Sequence, residues 1–303
     1  MLTEEQKESR RHGIGGSDAA AIAGVSRYKT PVDVYLQKHG LAEDNDKESE
    51  AAYWGNVLER HVADRYAARE TKMVTVEPTL LKSEKYPWMI ANIDRRIIGE
   101  NAILECKTCN QYKEDEWGEE YTDEVPDEYL LQVAHYAIVL DVSYADLAVL
   151  IGGQAFRVYR YERNKQLEQN LIELEHDFWH NNFLKQIPPV LSNYEDAGKL
   201  WKLSDDSSKT IAPELNDHLK SYQFYKQRIK EYQEQQALDK AKLCEYLQES
   251  STLLDEYGQK IATWKNQSTC RFQMDEFKKS HPDLYKQFCK TSESRVFRLK
   301  ELK

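Results

Sequence analysis

The stretch YPWMIANIDRRIIGENAILECKT, residues 86–108, contains two apolar runs that are separated by Gly99-Glu100-Asn101. Apolar runs joined by a short glycine-containing segment are typical of a β-hairpin. Side chains alternate between the two faces of a strand, so a polar residue every second position marks one face. The second run has this pattern at Glu105 and Lys107, whose neighbours Leu104 and Cys106 point to the opposite face. The sequence therefore predicts a hairpin with a polar patch on an otherwise apolar strand.

The hairpin also places a second carboxylate near this patch. Asp94 lies on the first strand, close enough across the hairpin to share a site with Glu105. Two carboxylates and a backbone carbonyl, here that of Cys106, form the oxygen-rich environment that Mg²⁺ prefers. Lys107 beside them can orient or deprotonate an attacking water and stabilise negative charge developing at phosphorus. The plain alternative is an ion pair between Glu105 and Lys107 on a half-exposed strand.

The segments around the hairpin predict alternating helices and strands. The glycine-rich segment GIGGSDAAAIAG, residues 13–24, predicts a turn and a short helix capped by Ser17. A second helix is predicted from Thr30-Pro31 to Gly40, and a third over 51–70, whose apolar face consists of Trp54, Leu58, Val62 and Tyr66. After the hairpin, the sequence predicts a long helix that begins at Pro126, a second hairpin that turns at Gly152-Gly153 and a helix over 164–186. Together they predict a mixed α/β core with a central mixed sheet flanked by helices.

A change in composition near residue 190 predicts two parts, a core over 1–190 and an appendage over 191–303. Residues 190–212 are rich in Ser, Asp and Lys and are interpreted as a linker. Residues 213–250 predict a strongly polar helix, and a small strand pair and a short helix are expected after it. The last forty residues carry more Lys and Arg than Asp and Glu. They favour either a contact with phosphate or a solvated helical surface.

Composition limits the classes of function. The chain has 303 residues, 40% of them hydrophobic, which is enough for a packed core, and a net charge of −10 argues against a generally adhesive nucleic-acid binder. No apolar run approaches the ~20 residues that a membrane span requires, and the N-terminus has no signal-like apolar region. Five cysteines favour free thiols, and no phosphate-binding loop of the NTPase type occurs. We therefore expect a cytoplasmic protein without a membrane partner.

Several motifs resemble one nuclease family. ANID followed by ILECKT resembles the PD-(D/E)xK signature, with Ile93 where a proline usually precedes the aspartate. GIGGSDAAAIAG resembles the opening motif of the YqaJ-type viral recombinases, which are relatives of the phage lambda exonuclease. YWGNVLERHVADRY resembles the helix that carries an additional acidic residue, here Glu59, and QVAHY resembles a Gln-x-x-x-Tyr helix, here Gln132 and Tyr136. The resemblance covers roughly residues 10–190.

The resemblance implies a PD-(D/E)xK restriction-endonuclease-like core and a metal-dependent deoxyribonuclease. Asp94, Glu105, Glu59 and the Cys106 carbonyl would hold Mg²⁺, with Mn²⁺ as a substitute, and Lys107 would activate water. Gln132 would hold the attacking water or a phosphate oxygen. Tyr136 would hold Gln132 or Lys107, or would simply be a core residue.

The resemblance also implies a site for the 5′-phosphate of DNA at the Gly15-Gly16-Ser17 turn. Backbone N–H groups and the Ser17 hydroxyl at the start of a helix favour an anion. Ser17 matches the family pattern directly, and Arg11 matches with one residue deleted. Arg10 and Arg27 are the alternatives to Arg11.

The implied activity is 5′→3′ digestion of double-stranded DNA ends in single-strand annealing recombination by a phage or prophage protein in a bacterial host. The implied partners are a single-strand annealing protein and further copies of the chain, in a ring of three by analogy with lambda exonuclease. Two alternatives remain. One is an endonuclease of the same fold, and the other is a non-catalytic DNA-binding or assembly protein that acts through residues 213–303.

Overall fold

The computed structural model describes residues 4–42, 49–291 and 293–300 and contains a five-stranded mixed sheet, which forms the centre of the first of two compact units. Two compact units are present, Met1–Lys202 and Leu203–Lys303. The strands of the first unit are β1 (Val74–Val76), β2 (Leu81–Lys82), β3 (Ile90–Ala91), β4 (Arg95–Ile97), β5 (Ala102–Cys109), β6 (Tyr144–Ile151) and β7 (Ala155–Glu162). The sheet has the order β1-β4-β5-β6-β7, and β2 pairs separately with β3.

Both predicted hairpins are present. Strands β4 and β5 are antiparallel, with Arg95 opposite Leu104, and the connection includes Gly99 at a φ of 85°. Strands β6 and β7 are antiparallel and turn at Gly152 and Gly153, whose φ values are 58° and 73°. A positive φ is readily adopted by glycine because it has no Cβ atom, which explains why the turns occur at these residues.

One pair of strands is parallel and requires a crossover. Strands β5 and β6 run in the same direction, with Glu105 opposite Leu147. Parallel neighbours cannot be joined by a tight turn, and the connection here contains helix α5 (Asp127–Leu140). The predicted helix start at Pro126 is confirmed. Helix α5 therefore lies against the sheet beside the strand that carries Glu105 and Lys107.

The other helices of this unit surround the sheet. They are α1 (Glu4–Arg11), α2 (Gly16–Ile22), α3 (Pro31–Lys38), α4 (Glu50–Glu70), α6 (Lys165–Asp177), which continues into a π-helical turn, and α7 (Tyr194–Leu200). The cap of α3 is confirmed, since the Thr30 side chain accepts a hydrogen bond from the Asp33 N–H. The cap predicted at Ser17 is wrong. Gly15 occupies the cap position of α2, and the Asp18 carboxylate accepts the Gly15 N–H at 3.0 Å.

The two faces of β5 belong to different parts of the core. Leu104 and Cys106 pack with Val62 and Tyr66 of α4, whereas Ile103 packs with α5 on the opposite face. The predicted apolar face of α4 is thus correct for Val62 and Tyr66. It is wrong for Trp54, which is 51% exposed near the start of the helix. The alternation places Glu105 and Lys107 on the face that α5 covers.

The interpretation of residues 190–212 as a linker is wrong over its first half. Helix α7 lies inside that range, and its Asp196 is fully buried, accepting a hydrogen bond from the Thr30 hydroxyl at 2.8 Å. Lys199 of α7 donates to Asp33 of α3 at 2.6 Å. These polar contacts attach α7 to the first unit, and the unit boundary accordingly falls after Lys202 rather than at 190.

The second unit contains a long helix and a short hairpin. It consists of α8 (Asn216–Leu247), β8 (Thr252–Leu254), β9 (Lys260–Thr263), α9 (Met274–Ser280) and α10 (Pro282–Phe288). The strand pair expected after the long helix is formed by β8 with β9. None of the helices in the described ranges combines the length and the hydropathy that crossing a bilayer requires.

Candidate active site

Asp94 and β5 are joined by a hydrogen bond. The Cys106 N–H donates to Asp94 Oδ2 at 2.7 Å, so the Asp94 carboxylate is held against the strand that carries Glu105. Asp94 lies directly before β4, whereas the sequence predicts it on the strand itself. The hairpin nevertheless brings Asp94 to the strand of Glu105, which is the proximity that the sequence predicts.

Glu105, Lys107 and Gln132 form a closed triangle of hydrogen bonds. Lys107 Nζ donates to Glu105 Oε1 at 2.7 Å and to Gln132 Oε1 at 3.0 Å. Gln132 Nε2 completes the triangle by donating to Glu105 Oε1 at 2.7 Å. Gln132 can occupy this place because α5 covers the polar face of β5. The plain ion pair between Glu105 and Lys107 exists, but it is part of a larger arrangement.

One oxygen of this arrangement has no partner. Glu105 is 3% exposed, and among the described residues no group forms a hydrogen bond with its Oε2 atom. A buried carboxylate oxygen that lacks a donor is costly, because it has lost water without replacement. A divalent cation with oxygen ligands would satisfy it. The residues present therefore fit a hard cation held by Glu105 and Asp94.

The pKa shifts of Asp94 and Lys107 are also consistent with a cation site. Burial and the nearby Glu105 carboxylate raise the pKa of Asp94 well above its usual value, although Lys107 acts against them. Burial alone would lower the pKa of Lys107, but Glu105 and Asp94 raise it above its usual value. Lys107 is thus an ammonium in this arrangement, which favours orienting water over deprotonating it.

Glu59 does not join the two carboxylates. Its Oε1 atom accepts a hydrogen bond from Arg95 Nη1 at 2.6 Å, and the same nitrogen donates to the Asp94 carbonyl oxygen at 2.6 Å. Within the described ranges, no three His, Cys, Asp or Glu side chains are grouped closely enough to hold a metal ion. Glu59 is therefore paired with Arg95 in this structure, and its role as a third carboxylate ligand stays a prediction. No pattern in the sequence indicated Arg95 as the partner of Glu59.

Tyr136 connects the carboxylate pair to the glycine-rich turn. Gln132 Nε2 donates to the Tyr136 hydroxyl at 3.0 Å, as the expectation that Tyr136 holds Gln132 requires. Tyr136 is also 5% exposed and belongs to the core, so both interpretations of this residue apply. A Cβ atom on Gly16 would lie 2.5 Å from Tyr136 Cε1. Only glycine allows α2 to approach α5 this closely, and Ser17 follows directly.

Arg10, rather than Arg11, contacts Ser17. Arg10 Nη2 donates to Ser17 Oγ at 3.1 Å. Arg11 Nη1 donates instead to Glu8 at 2.8 Å, and Arg27 Nη1 donates to Glu116 at 2.6 Å. The assignment of Arg11 as the partner of Ser17 is therefore corrected to Arg10. The deletion needed to align Arg11 was the sequence signal against it.

An aromatic residue beside Lys107 was missed. Lys107 Nζ lies 5.0 Å from the centre of the Tyr129 ring, which stacks on Trp117 at 5.5 Å. A cation over an aromatic face is stabilised by the ring quadrupole. Burial raises the pKa of Tyr129 to about 12, so the ring stays neutral. Its position three residues before Gln132, on the same face of α5, was the available signal.

The fold is that of alkaline exonucleases. The crystal structure of LHK-Exo in complex with dAMP matches with a TM-score of 0.50 and 17% identity, covering 61% of this chain and 94% of that one. A second structure, of the alkaline exonuclease LHK-Exo from Laribacter hongkongensis, gives a TM-score of 0.50 and 16% identity with the same coverage. At such identities the match shows the fold alone, a mixed α/β core with a central mixed sheet flanked by helices, as the sequence predicts.

The sequence comparisons identify the family. The model of the YqaJ-like viral recombinase domain matches residues 5–143. The uncharacterized protein YqaJ of Bacillus subtilis (strain 168) is 35% identical over 312 residues, an alignment covering 100% of this chain and 95% of that protein. The chain belongs to the YqaJ family of viral recombinases, which confirms the resemblance seen in its motifs.

Proposed function

We propose that the protein is a metal-dependent deoxyribonuclease, and specifically a 5′→3′ exonuclease on double-stranded DNA that acts in single-strand annealing recombination. The observation that carries the proposal is the buried Glu105 carboxylate near Asp94. Lys107 and Gln132 fix its Oε1 atom, while its Oε2 atom has no hydrogen-bond partner in the part of the chain that the structure describes. An apolar strand has no structural need for this arrangement. The alkaline exonuclease fold supports the same reaction class.

The cation site would consist of Asp94, Glu105 and the Cys106 carbonyl. Mg²⁺ is the expected ion, with Mn²⁺ as a substitute, because both prefer carboxylate and carbonyl oxygens. When bound, the cation supplies positive charge that stabilises the oxygens of the phosphodiester during cleavage. Glu59 would act at a distance through its contact with Arg95.

Lys107 and Gln132 would orient the reacting groups. The Lys107 ammonium has three hydrogens, and two are donated to Glu105 and Gln132, so one is available to a water or a phosphate oxygen. Hydrogen bonds to Lys107, Glu105 and Tyr136 fix the Gln132 side chain, so its amide group has one defined orientation at the site. Groups fixed before substrate binds lose little entropy on reaction, which is a major source of catalytic rate.

The 5′-phosphate of the DNA end would bind at Arg10 and Ser17. A guanidinium and a hydroxyl 3.1 Å apart offer several donors to a phosphate dianion. Through Gly16 and Tyr136 this pair is connected to Gln132 and so to the cation site. Capture of a terminal phosphate near the cleavage site would explain digestion from an end rather than within a chain.

The assembly and its partners are carried over from the family resemblance. A ring of three copies would let a protein with a net charge of −10 hold DNA by lining only its channel with positive charge. A single-strand annealing protein would receive the single strand that the exonuclease leaves. The host compartment would be the bacterial cytoplasm.

The test compares linear and covalently closed double-stranded DNA, with Mg²⁺ or with EDTA. The proposed function predicts Mg²⁺-dependent loss of linear DNA, faster with a 5′-phosphate, and no loss of the closed circle. Cutting of the closed circle would show an endonuclease instead. Lys107→Ala is the matched inactive variant, and equal activity in both proteins would remove Lys107 from its role. Binding without any degradation by the wild type would favour a DNA-binding protein.

A further inference from the structure

A buried lysine–aspartate pair lies behind the contact between Arg10 and Ser17. Lys38, the last residue of α3, donates from Nζ to Asp18 Oδ2 at 2.6 Å, and their side chains are 2% and 3% exposed. Transferring two charges from water to the interior is unfavourable unless the geometry and additional hydrogen bonds compensate for it. Such a pair is a weak source of stability, and its additional hydrogen bonds indicate what it holds in place.

Lys38 and Asp18 each also form a hydrogen bond with the backbone, Lys38 at the end of α1 and Asp18 in the glycine-rich turn before α2. Lys38 Nζ donates to the Arg10 carbonyl oxygen at 2.7 Å, at the end of α1. Asp18 Oδ2 accepts the Gly15 N–H at 3.0 Å, at the start of α2. One ion pair therefore fixes the two backbone segments from which the side chains of Arg10 and Ser17 project.

Arg10 is also the arginine best placed to accept a dianion. Arg11 and Arg27 are each paired with a carboxylate, Glu8 and Glu116 respectively. In the part of the chain that the structure describes, no carboxylate forms an ion pair with Arg10, whose guanidinium contacts the Ser17 hydroxyl. A phosphate at this place would therefore not need to displace an existing ion pair.

We propose that Lys38 and Asp18 are positioning residues that hold Arg10 and Ser17 at the spacing required to bind a terminal phosphate monoester. The inference rests on the proposed function, because it assigns a role in recognising the 5′-phosphate of DNA. Lys38 is too deeply buried to touch DNA itself, so its effect is transmitted through the Arg10 backbone. The ligand class is a phosphate monoester at a chain end, as opposed to the diester of the DNA backbone.

The experiment measures binding without cleavage. Duplex DNA labelled with fluorescein at its 3′ ends, with or without 5′-phosphates, is titrated with full-length protein in EDTA, and fluorescence anisotropy gives the two dissociation constants. We expect the wild type to prefer the 5′-phosphate duplex by about tenfold, which is the scale of one charge-assisted hydrogen bond. Lys38→Met should abolish this preference and leave binding of the 5′-hydroxyl duplex within about twofold of wild type.

Two further variants separate positioning from simple loss of stability. Lys38→Met leaves the Asp18 charge buried without its partner and should lower Tm, whereas combining it with Asp18→Asn removes both charges and should restore much of the Tm. The phosphate preference should stay lost in the double variant, because the Arg10 carbonyl is still not held. Lys29→Met is the matched control. Lys29 donates to Gln37 at 3.0 Å, and among the described residues no hydrogen bond joins Lys29 to Arg10, so this variant should keep the preference.

The double-variant cycle with Arg10 tests the proposed route of action. Arg10→Ala should abolish the preference, and Lys38→Met should then have no further effect on it. Retained preference in Lys38→Met, or its return in the charge-neutral double variant, overturns the inference. A wild type without any preference also overturns it, while Mg²⁺-dependent degradation measured separately decides the proposed nuclease function.

Discussion

Gln132 Nε2 donates to Glu105 Oε1 at 2.7 Å, and the same oxygen accepts Lys107 Nζ at 2.7 Å. One oxygen of the carboxylate thus has two donors, while the other, Oε2, has none among the described residues. The two bonds fix the rotation of the carboxylate and thereby the direction of Oε2. A ligand oriented by such outer contacts binds a metal ion more tightly than a freely rotating one.

Replacing Lys107 should stop cleavage without stopping DNA binding. Lys107→Ala removes the ammonium that bonds to Glu105 and Gln132, and the rate of nucleotide release should fall by on the order of 10²- to 10⁴-fold. The dissociation constant for labelled duplex DNA, measured by fluorescence anisotropy, should change by less than about threefold, because one lysine among many phosphate contacts contributes little affinity. Lys82→Ala, an exposed lysine of β2, is the control and should keep full activity. A parallel loss of binding would indicate a structural effect.

Replacing Asp94 should stabilise the metal-free protein. Burial and Glu105 raise the pKa of Asp94, so the folded state binds a proton at this carboxyl more tightly than the unfolded state does. The stability that Asp94 contributes to the folded state is fully present below its pKa in the unfolded chain, about 3.9. It is lost as pH rises through the higher pKa of the folded state. At pH 8 in EDTA, Asp94→Asn should therefore melt at a higher temperature than wild type. Each kcal/mol of relieved repulsion corresponds to about 2–4 °C in a domain of this size.

The same variant should lose its response to metal. Mn²⁺ should raise the Tm of the wild type, because a ligand that binds only the folded state stabilises it. Asp94→Asn should show little of this shift and no cleavage. Asp123→Asn, at an exposed position, should behave as wild type in both respects. An unchanged Mn²⁺ shift in Asp94→Asn would exclude Asp94 as a ligand.

Gly16→Ala and Gly198→Ala should have effects of opposite sign. A Cβ atom at Gly16 would meet Tyr136 at 2.5 Å and Gln132 Cγ at 3.0 Å, so α2 or the Tyr136 ring must move. Overpacking of this kind costs about 1–3 kcal/mol, and displacement of Gln132 should also reduce cleavage. At Gly198 in α7 nothing lies within 4 Å of the added atom, and alanine should stabilise the helix by up to about 1 kcal/mol. Urea denaturation and nucleotide release measure both effects.

The local sequence pattern was sufficient to predict the hairpin and the polar face of its second strand. The alternation at Glu105 and Lys107 depends only on strand geometry, and Gly99 and Gly152 mark turns through their lack of a Cβ atom. Asp94 was found because the hairpin joins neighbouring strands, so that sequence distance predicts spatial proximity. Gln132 and Tyr136 came from the family resemblance, since no local rule places α5 over β5.

Contacts between distant segments could not be predicted. The hydrogen bond from Arg95 to Glu59 joins β4 to α4, and no local pattern in the sequence predicts this contact. Ser17 was expected to cap α2, but Gly15 occupies the cap position, and the Asp18 carboxylate, which is paired with Lys38 of α3, accepts the Gly15 N–H. Helix α7 was interpreted as linker because its composition is polar, whereas its buried contacts are made by Asp196 and Lys199. Tertiary ion pairs of this kind leave no periodic signal.

The buried pair His135–Glu175 should make stability depend on pH. His135 follows Gln132 by one turn of α5, and both residues of the pair are fully buried. His135 Nδ1 lies 2.8 Å from Glu175 Oε1, and Nε2 lies 2.9 Å from the Ile90 carbonyl oxygen. Both ring nitrogens face acceptors, so the doubly protonated imidazolium satisfies both contacts. Burial alone would lower the pKa of His135, but Glu175 and the Ile90 carbonyl raise it above its usual value.

The sign of the effect follows from this raised pKa. The stability contributed by His135 is fully present below the unfolded pKa of about 6.5 and is lost as pH rises through the higher folded pKa. Glu175→Gln removes the charge that raises this pKa, so burial should lower the pKa of His135 in the variant. The variant protein should then lose stability as pH falls, because His135 becomes protonated more readily in the unfolded state. We therefore expect the difference in unfolding free energy between wild type and Glu175→Gln to be largest near pH 6 and to shrink toward pH 9.

Urea denaturation at half-unit intervals between pH 5.5 and 9 measures this difference. Titrating groups other than His135 and Glu175 cancel because both proteins contain them, and burial raises the pKa of Glu175, so its own contribution is also lost as pH rises. Glu173→Gln is the matched control, since Glu173 is an exposed carboxylate on the same helix and bonds to Gln169. Its profile should run parallel to that of wild type. A parallel profile for Glu175→Gln as well would show that the folded His135–Glu175 pair does not bind the additional proton over this pH range.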